Sequence, residues 1–282
     1  MNIALPTVDL NNRIIESNSC STCTRSISYS GLTCYINCPL KYQFKYINKI
    51  VPEKISANIA CGKSIHSALS FYYTQIRNKS KPKSEQVVDV YHQFYEAAEA
   101  EGVNYNGQQK DEIAETATNL LKLYCETVKP QKKIDGIDLE LRTPITNPSS
   151  GETLGGYELL GYIDLFADKT VYDFKTAKTS KSQQDLDNDL QLSLYALAVL
   201  LSPGYAYIPK LTFQVLLKQV KPKIQEISTT RKYDDFNRLF RMIQGFIKNT
   251  ENPDTQYLPV QSFYCYGCEY AFWCQKWGNE PA

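Results

Sequence analysis

The chain has 282 residues, of which 43% are hydrophobic and 22% charged, a composition that excludes a disordered protein and allows one large domain or two small ones. The formal net charge is +1, so no overall basic field points to nucleic acid, and any such contact must come from local patches. No apolar run reaches the roughly 18 residues of a membrane helix, and the start Met1-Asn2-Ile3-Ala4-Leu5-Pro6 lacks the basic-then-apolar pattern of a signal peptide. No membrane partner and a cytoplasmic location are therefore expected. In a reducing compartment the nine cysteines, odd in number, are not a disulfide framework.

In chain order, residues 1–29 read as a poorly ordered tail and 30–282 as a single domain, with a helical region over 30–130, a core over 131–230, and a last helix and cysteine cluster over 231–282. Ser30 to Cys38 predicts a short helix, and Pro39 marks a break before a second, aromatic one. Three apolar stripes at helical spacing follow: Ile65, Leu69, Tyr72 and Ile76; Val87, Tyr91, Phe94 and Ala98; Ile113, Ala117, Leu120, Tyr124 and Val128. Ile137 to Ile145 and Tyr157 to Ala167 predict a hairpin around Asn147-Pro148-Ser149-Ser150-Gly151, and Thr170 to Lys175 a third strand. Leu186, Leu190, Leu194, Leu197 and Leu201 predict one helix ending at Pro203-Gly204. Leu211 to Leu217 predicts a strand, and Phe236, Leu239, Phe240, Ile243 and Ile247 a last long helix. The order implies one α/β domain with a helical N-terminal portion.

The sharpest local signal is Gly161-Tyr162-Ile163-Asp164, followed by Asp173-Phe174-Lys175-Thr176. Residues two apart on a strand share a face, so Asp173 and Lys175 emerge side by side. A return through Asp168-Lys169 brings Asp164 beside them. Phosphodiester hydrolysis needs such a set: carboxylate oxygens hold a hard Mg²⁺ or Mn²⁺ ion, and an ammonium positions the attacking water and stabilises developing charge. Strongly apolar flanks (Ile163, Leu165, Phe166, Val171, Tyr172, Phe174) argue for a buried sheet, where charges call for partners. Ala57 to Ser64 spells Ala-x₄-Gly-Lys-Ser, but with one glycine and no preceding strand it is not a phosphate-binding loop, and no helicase motor is visible.

The run Gly161-x-x-Asp164, Asp173-Phe174-Lys175-Thr176 and Gln191-x-x-x-Tyr195 resembles the PD-(D/E)XK nucleases of the RecB, AddB and exonuclease V group, which includes CRISPR-associated RecB-like nucleases. The resemblance covers roughly residues 30–275 and implies a restriction-endonuclease-like core, a mixed sheet flanked by helices. It implies Asp164 and Asp173 as metal ligands, Lys175 as the catalytic lysine, and Gln191 and Tyr195 as helix residues supporting the site. His66, in Gly62-Lys63-Ser64-Ile65-His66, matches the group's histidine that completes the metal shell. Glu140 resembles an acidic residue on the first core strand, although its alternation with Leu139 and Leu141 is equally that of a one-sided strand. The implied activity is a metal-dependent DNA exonuclease acting on DNA with single-stranded character, in recombination and repair or in CRISPR spacer acquisition, with a helicase or a CRISPR integration complex as the expected partner. The other reading is a catalytically silent DNA-binding subunit that keeps the fold.

Cys265-x₂-Cys268-x₅-Cys274 makes a metal site at the end of the chain, and a fourth ligand must come from elsewhere. The resemblance supplies Cys38, before Pro39, as that ligand of a [4Fe–4S] cluster, a strap across the core; four thiolates equally suit structural Zn²⁺. Cys34, four residues earlier, is an alternative to Cys38. Cys20 and Cys23 read as non-ligands, and Cys61 and Cys125 as packing residues. Lys41, Lys45, Lys49 and Lys54 among Tyr42, Phe44 and Tyr46, with Lys178, Lys181, Lys218, Lys221 and Lys223, are the candidate DNA contacts, the second group interrupted by Asp185, Asp187 and Asp189.

Overall fold

The computed structural model describes residues 15–17 and 25–277. Strands β1 (Ile15–Ser17) and β2 (Arg25–Ser28) precede α1 (Tyr29–Asn37), capped by the Ser28 hydroxyl, which accepts from the Gly31 N–H. Extended Cys38 separates it from α2 (Pro39–Tyr42), where proline at the first helical position costs no hydrogen bond, and a π-helical turn, Gln43–Ile47, follows. Next come β3 (Ile55–Ser56), α3 (Ala57–Arg77), α4 (Ser84–Glu101), β4 (Val103–Asn104) and α5 (Lys110–Thr127). The apolar stripes of α3, α4 and α5 make one core, with Ile65, Leu69, Tyr91, Leu120 and Tyr124 fully buried.

The C-terminal half contains β5 (Ile134–Thr146), β6 (Thr153–Ala167), β7 (Thr170–Ala177), α6 (Gln183–Asp187), α7 (Leu190–Leu201), β8 (Lys210–Leu217), β9 (Lys223–Thr229), α8 (Tyr233–Glu251) and α9 (Ala271–Trp277). The sheet order is β1-β5-β6-β7-β8-β9, with β2 beside the N-terminal half of β6. The β5–β6, β6–β7 and β8–β9 pairs are antiparallel; β7 and β8 are parallel and so need the crossover that α6 and α7 supply. The α3–α5 layer covers one face, while α1, α7 and α8 cover the other. This is the mixed sheet flanked by helices that the sequence predicts. Among the described residues no helix is long and apolar enough to cross a membrane.

Three elements differ from the sequence reading, and a fourth stretch agrees with it. The leucine repeat from Leu186 to Leu201 is two helices, because Asp189 caps a new start by accepting from the Leu192 N–H. Residues 25–28, assigned to the tail, form β2: Ile27 is buried and the Ser26 hydroxyl donates to Glu158 at 2.7 Å. The half-exposed edge strand β9 has no counterpart among the predicted elements. The Ala-x₄-Gly-Lys-Ser stretch lies wholly within α3, where the Ser64 hydroxyl donates to the Ala60 carbonyl at 3.0 Å, so no loop is present to cradle a phosphate.

Gly161 sets the distance between sheet and crossover helix. A Cβ there would lie 3.3 Å from Tyr195 Cδ1 on α7, closer than packed carbons settle. Gly161→Val is expected to cost about 1–3 kcal/mol through overpacking. The measurement is a lowered denaturant midpoint at unchanged slope.

Candidate active site

The chemistry-bearing side chains meet where β6 and β7 part. Their pairing covers only Leu165–Tyr172, Phe166–Val171 and Ala167–Thr170. Asp168 and Lys169 join them with φ values of 49° and 59°, the mirror-image turn that suits a tight hairpin. Beyond Tyr172 the strand continues only with β8, placing Asp173 opposite Phe213 and Lys175 opposite Val215. The Phe174 N–H therefore has no β6 carbonyl to meet, and donates to Asp164 Oδ2 at 2.7 Å. A side-chain carboxylate thus stands in for a ladder partner at the fork.

Asp173 is 1% exposed. Lys175 Nζ lies 2.6 Å from Asp173 Oδ2 as an ion pair, off the angle of a hydrogen bond, which leaves that buried oxygen without a hydrogen-bond partner. The same ammonium donates to Gln191 Oε1 at 2.6 Å, and Gln191 Nε2 donates to the Tyr195 hydroxyl at 2.7 Å. One turn of α7 puts Gln191 and Tyr195 on one face. From α3, His66 Nδ1 approaches Asp164 Oδ1 at 3.3 Å, its ring edge-on to Phe174. The six expected residues thus form two contacting sets, His66 with Asp164 and Asp173 with Lys175, Gln191 and Tyr195, joined through the Phe174 backbone.

Burial pushes the Asp173 carboxyl up to about 6; Lys175 pulls it back, and the Asp164 charge adds to the rise. For Lys175 burial acts downward, but Asp173 outweighs it and the amine is held above its ordinary value. His66 follows the same logic, with burial opposed and overcome by Asp164, so its proton is held more tightly than usual. Burial, then the charges of Asp173 and Asp164, hold the Tyr195 hydroxyl far from ionisation. The donor set fits a hard divalent cation: two carboxylates, one with an oxygen lacking a hydrogen-bond partner, and an imidazole. Among the described residues, no three His, Cys, Asp or Glu side chains are already drawn together as a ligand shell.

Glu140 is engaged elsewhere. Arg142 Nε donates to it at 2.6 Å, and Arg142 Nη1 bridges to Glu158 at 2.5 Å, an ion cluster joining β5, β6 and β2. One contributor went unrecognised in the sequence: Asp189, whose capping of α7 fixes the start of the helix that presents Gln191. Its signal was an Asp one position before an apolar helical run.

Cys38, Cys265, Cys268 and Cys274 all line one cavity of about 900 Å³, together with Cys34. All five are free thiols. Leu40, Phe44 and Tyr270 pack beneath them, the Leu40 N–H donates to the Leu258 carbonyl at 3.2 Å, and Lys41 pairs with Glu269 at 2.9 Å. These contacts bring the segment at 38–44 against the segment at 258–274. Cys61 is buried in α3 and Cys125 packs against the same helical core. Cys20 and Cys23 lie outside the described residues.

A family model described as the PD-(D/E)XK nuclease superfamily matches residues 26–275. Among solved structures, a protein of Eubacterium rectale described as a "putative exonuclease" is similar at a TM-score of 0.56 and 14% identity, covering 91% of this chain and 89% of that one. At such identity the likeness is one of fold. No curated protein matches the chain.

A cation held by Asp173 and His66 would have to compete with their protons. Burial pushes the Asp173 carboxyl up to about 6, and at His66 burial is overcome by Asp164, which holds the proton above its ordinary range; Mn²⁺ affinity is therefore expected to fall from pH 8 to pH 5, by up to about tenfold per pH unit for each group that must give up its proton. Calorimetric titration from pH 5 to 8 reads this, and a flat profile contradicts it.

Proposed function

The chain belongs to the PD-(D/E)XK nuclease superfamily, and from that premise we propose that it is a Mg²⁺- or Mn²⁺-dependent deoxyribonuclease, working as an exonuclease on DNA with single-stranded character. The observation that carries the reading is the convergence of Asp164, Asp173, Lys175 and Gln191 at the fork of β6 and β7. Asp164, Asp173 and His66 would hold the cation, which supplies charge neutralisation for the phosphorane and leaving oxygen. Lys175, kept protonated by Asp173, acts as donor and positive charge rather than as base. Gln191 takes one of its protons and fixes its direction.

The silent-subunit reading would call for a gap in this set, and none of the six side chains is missing. Phosphate contacts are proposed at Lys178 and Lys218, at the ends of the paired strands β7 and β8. Lys218 donates to Asn58 Oδ1 at 3.0 Å, and burial holds it below the ordinary amine range, Cys61 opposing and Lys178 adding to the fall, a cost that an anion would relieve. The hydrogen bonds made by Asp185, Asp187 and Asp189 come from neutral groups, Ser182, Gln183 with Thr229, and the Leu192 N–H, so these residues still interrupt the lysine group. In the basic-aromatic segment Lys41 is taken by Glu269, which leaves Lys45, stacked on Tyr46, as a contact.

We also propose the shared cavity as a [4Fe–4S] site held by Cys38, Cys265, Cys268 and Cys274. Four thiols on one apolar cavity support it, with Zn²⁺ as the competing occupant. The cluster would tie the two ends of the fold and take no part in hydrolysis.

Two experiments test these readings. With 5′- and 3′-labelled single-stranded DNA and Mn²⁺, wild type should shorten the strand and Lys175→Ala should lose roughly 10²–10³-fold in rate; identical traces without degradation would sink the nuclease reading. Anaerobically purified protein should show broad visible iron–sulfur absorption that Cys268→Ser reduces. A colourless protein with stoichiometric zinc would assign the site to Zn²⁺.

A further inference from the structure

We infer that Arg231 is a positioning residue for the nuclease site, acting through Gln191 by fixing the break between α6 and α7. For its activity readout the inference rests on the nuclease reading above. Arg231 lies just beyond β9 and is 3% exposed. Nη2 donates to the carbonyls of Leu186 and Asp189, both at 2.8 Å, which lie on either side of the break. Nε donates to the Ser193 hydroxyl at 2.7 Å in the first turn of α7, and Nη1 to the Thr230 carbonyl at 3.0 Å. A buried guanidinium is costly; the carboxylate charges of Asp235, Asp189 and Asp187 offset part of this without a hydrogen bond to it, and burial still holds it below its ordinary value. What the accepting oxygens provide is geometry. The planar fork fixes the directions of several acceptors at once, which an apolar side chain or a single ammonium cannot do.

The fixed point lies beside the reacting groups. Asp189, whose carbonyl the fork holds, is the N-cap of α7. Gln191 follows two residues later, and its Oε1 receives the Lys175 ammonium at 2.6 Å. Lys175 in turn lies 2.6 Å from Asp173. The carbonyls of Leu186 and Asp189 already accept from the N–H groups of Asp189 and Ser193, so Arg231 is an added constraint on the break rather than the bond that makes either helix. At the other end of the contact Gly161 lets the Tyr195 ring sit close to β6. The active face of α7 is thereby held by packing at Tyr195 and by hydrogen bonds at its start.

The test uses the full chain in a double-mutant cycle of Arg231→Met and Gln191→Ala, with kcat and KM measured on single-stranded DNA in Mn²⁺. Arg231→Met should lower kcat about 10- to 100-fold with KM little changed, and should cost little more once Gln191 is gone. Arg231→Lys keeps a buried cation without the fork and should fall between wild type and Arg231→Met; it replaces that variant if Arg231→Met does not fold. A parallel unfolding cycle needs no activity: the Lys175–Gln191 coupling, read from Lys175→Met, Gln191→Ala and their combination, should vanish in the Arg231 variant. A coupling that persists unchanged in that variant, or a kcat loss from Arg231→Met that is undiminished without Gln191, overturns the inference. If wild type fails to cleave DNA, the nuclease reading falls while the unfolding cycle still decides whether Arg231 positions Gln191.

Discussion

The hydrogen bond from the Phe174 N–H to the Asp164 carboxylate is the contact around which the site is organised. An antiparallel pair normally satisfies such an N–H with a carbonyl from the neighbouring strand, and a buried backbone donor left alone costs about 1–3 kcal/mol. Here β6 has already diverged, and Asp164 fills the role with a side chain. Two consequences follow. The strands can part without an orphaned donor. Asp164 is also held rigidly, with its second oxygen turned toward His66.

The opening would be unstable if it held only carboxylates. Asp173 is buried deeply enough that its proton is retained to about 6, and Asp164 adds to that pressure. Lys175 offsets part of it, and Gln191 directs Lys175 without adding charge. With His66 neutral the local balance is negative, an arrangement expensive in itself and suited to a divalent cation; a proton on His66 would cancel it. Tyr195 contributes an acceptor that cannot readily ionise and so adds no further anion. The same side chains that define the chemistry therefore set the electrostatic cost of keeping the site.

Much of this was legible because strand and helix periods are short. The two-residue alternation placed Asp173 with Lys175, and one helical turn placed Gln191 with Tyr195. Long-range neighbours could not be read from spacing: Glu140 reads equally as a site acid or as part of a one-sided strand, and only the fold pairs it with Arg142, which also holds Glu158. The α6–α7 break was hidden because Leu186 and Leu190 keep helical spacing across it, while the cap at Asp189 and the clamp from Arg231 act from outside the repeat. Strand β9, Lys-Ile-Gln-Glu-Ile-Ser-Thr, is a half-exposed edge whose polar positions mask its pairing with β8. β2 is four residues long with one buried side chain, too little for a periodic signal.

These misses share a physical character that bears on how the site is held. β2, the α6–α7 break and β9 are all fixed by polar contacts between segments distant in the chain: Ser26 to Glu158, Arg231 to Leu186 and Asp189, and Thr229 to Asp187. Apolar burial makes the two cores, and apolar patterns in the sequence announce it. Burial is non-directional, however, and places a helix to within the slack of side-chain packing. Placing an amide against an ammonium at hydrogen-bond distance needs directional contacts. In this fold those contacts sit behind the reacting residues, on elements whose sequences look ordinary, which is why the chemistry was readable before the scaffold that orients it.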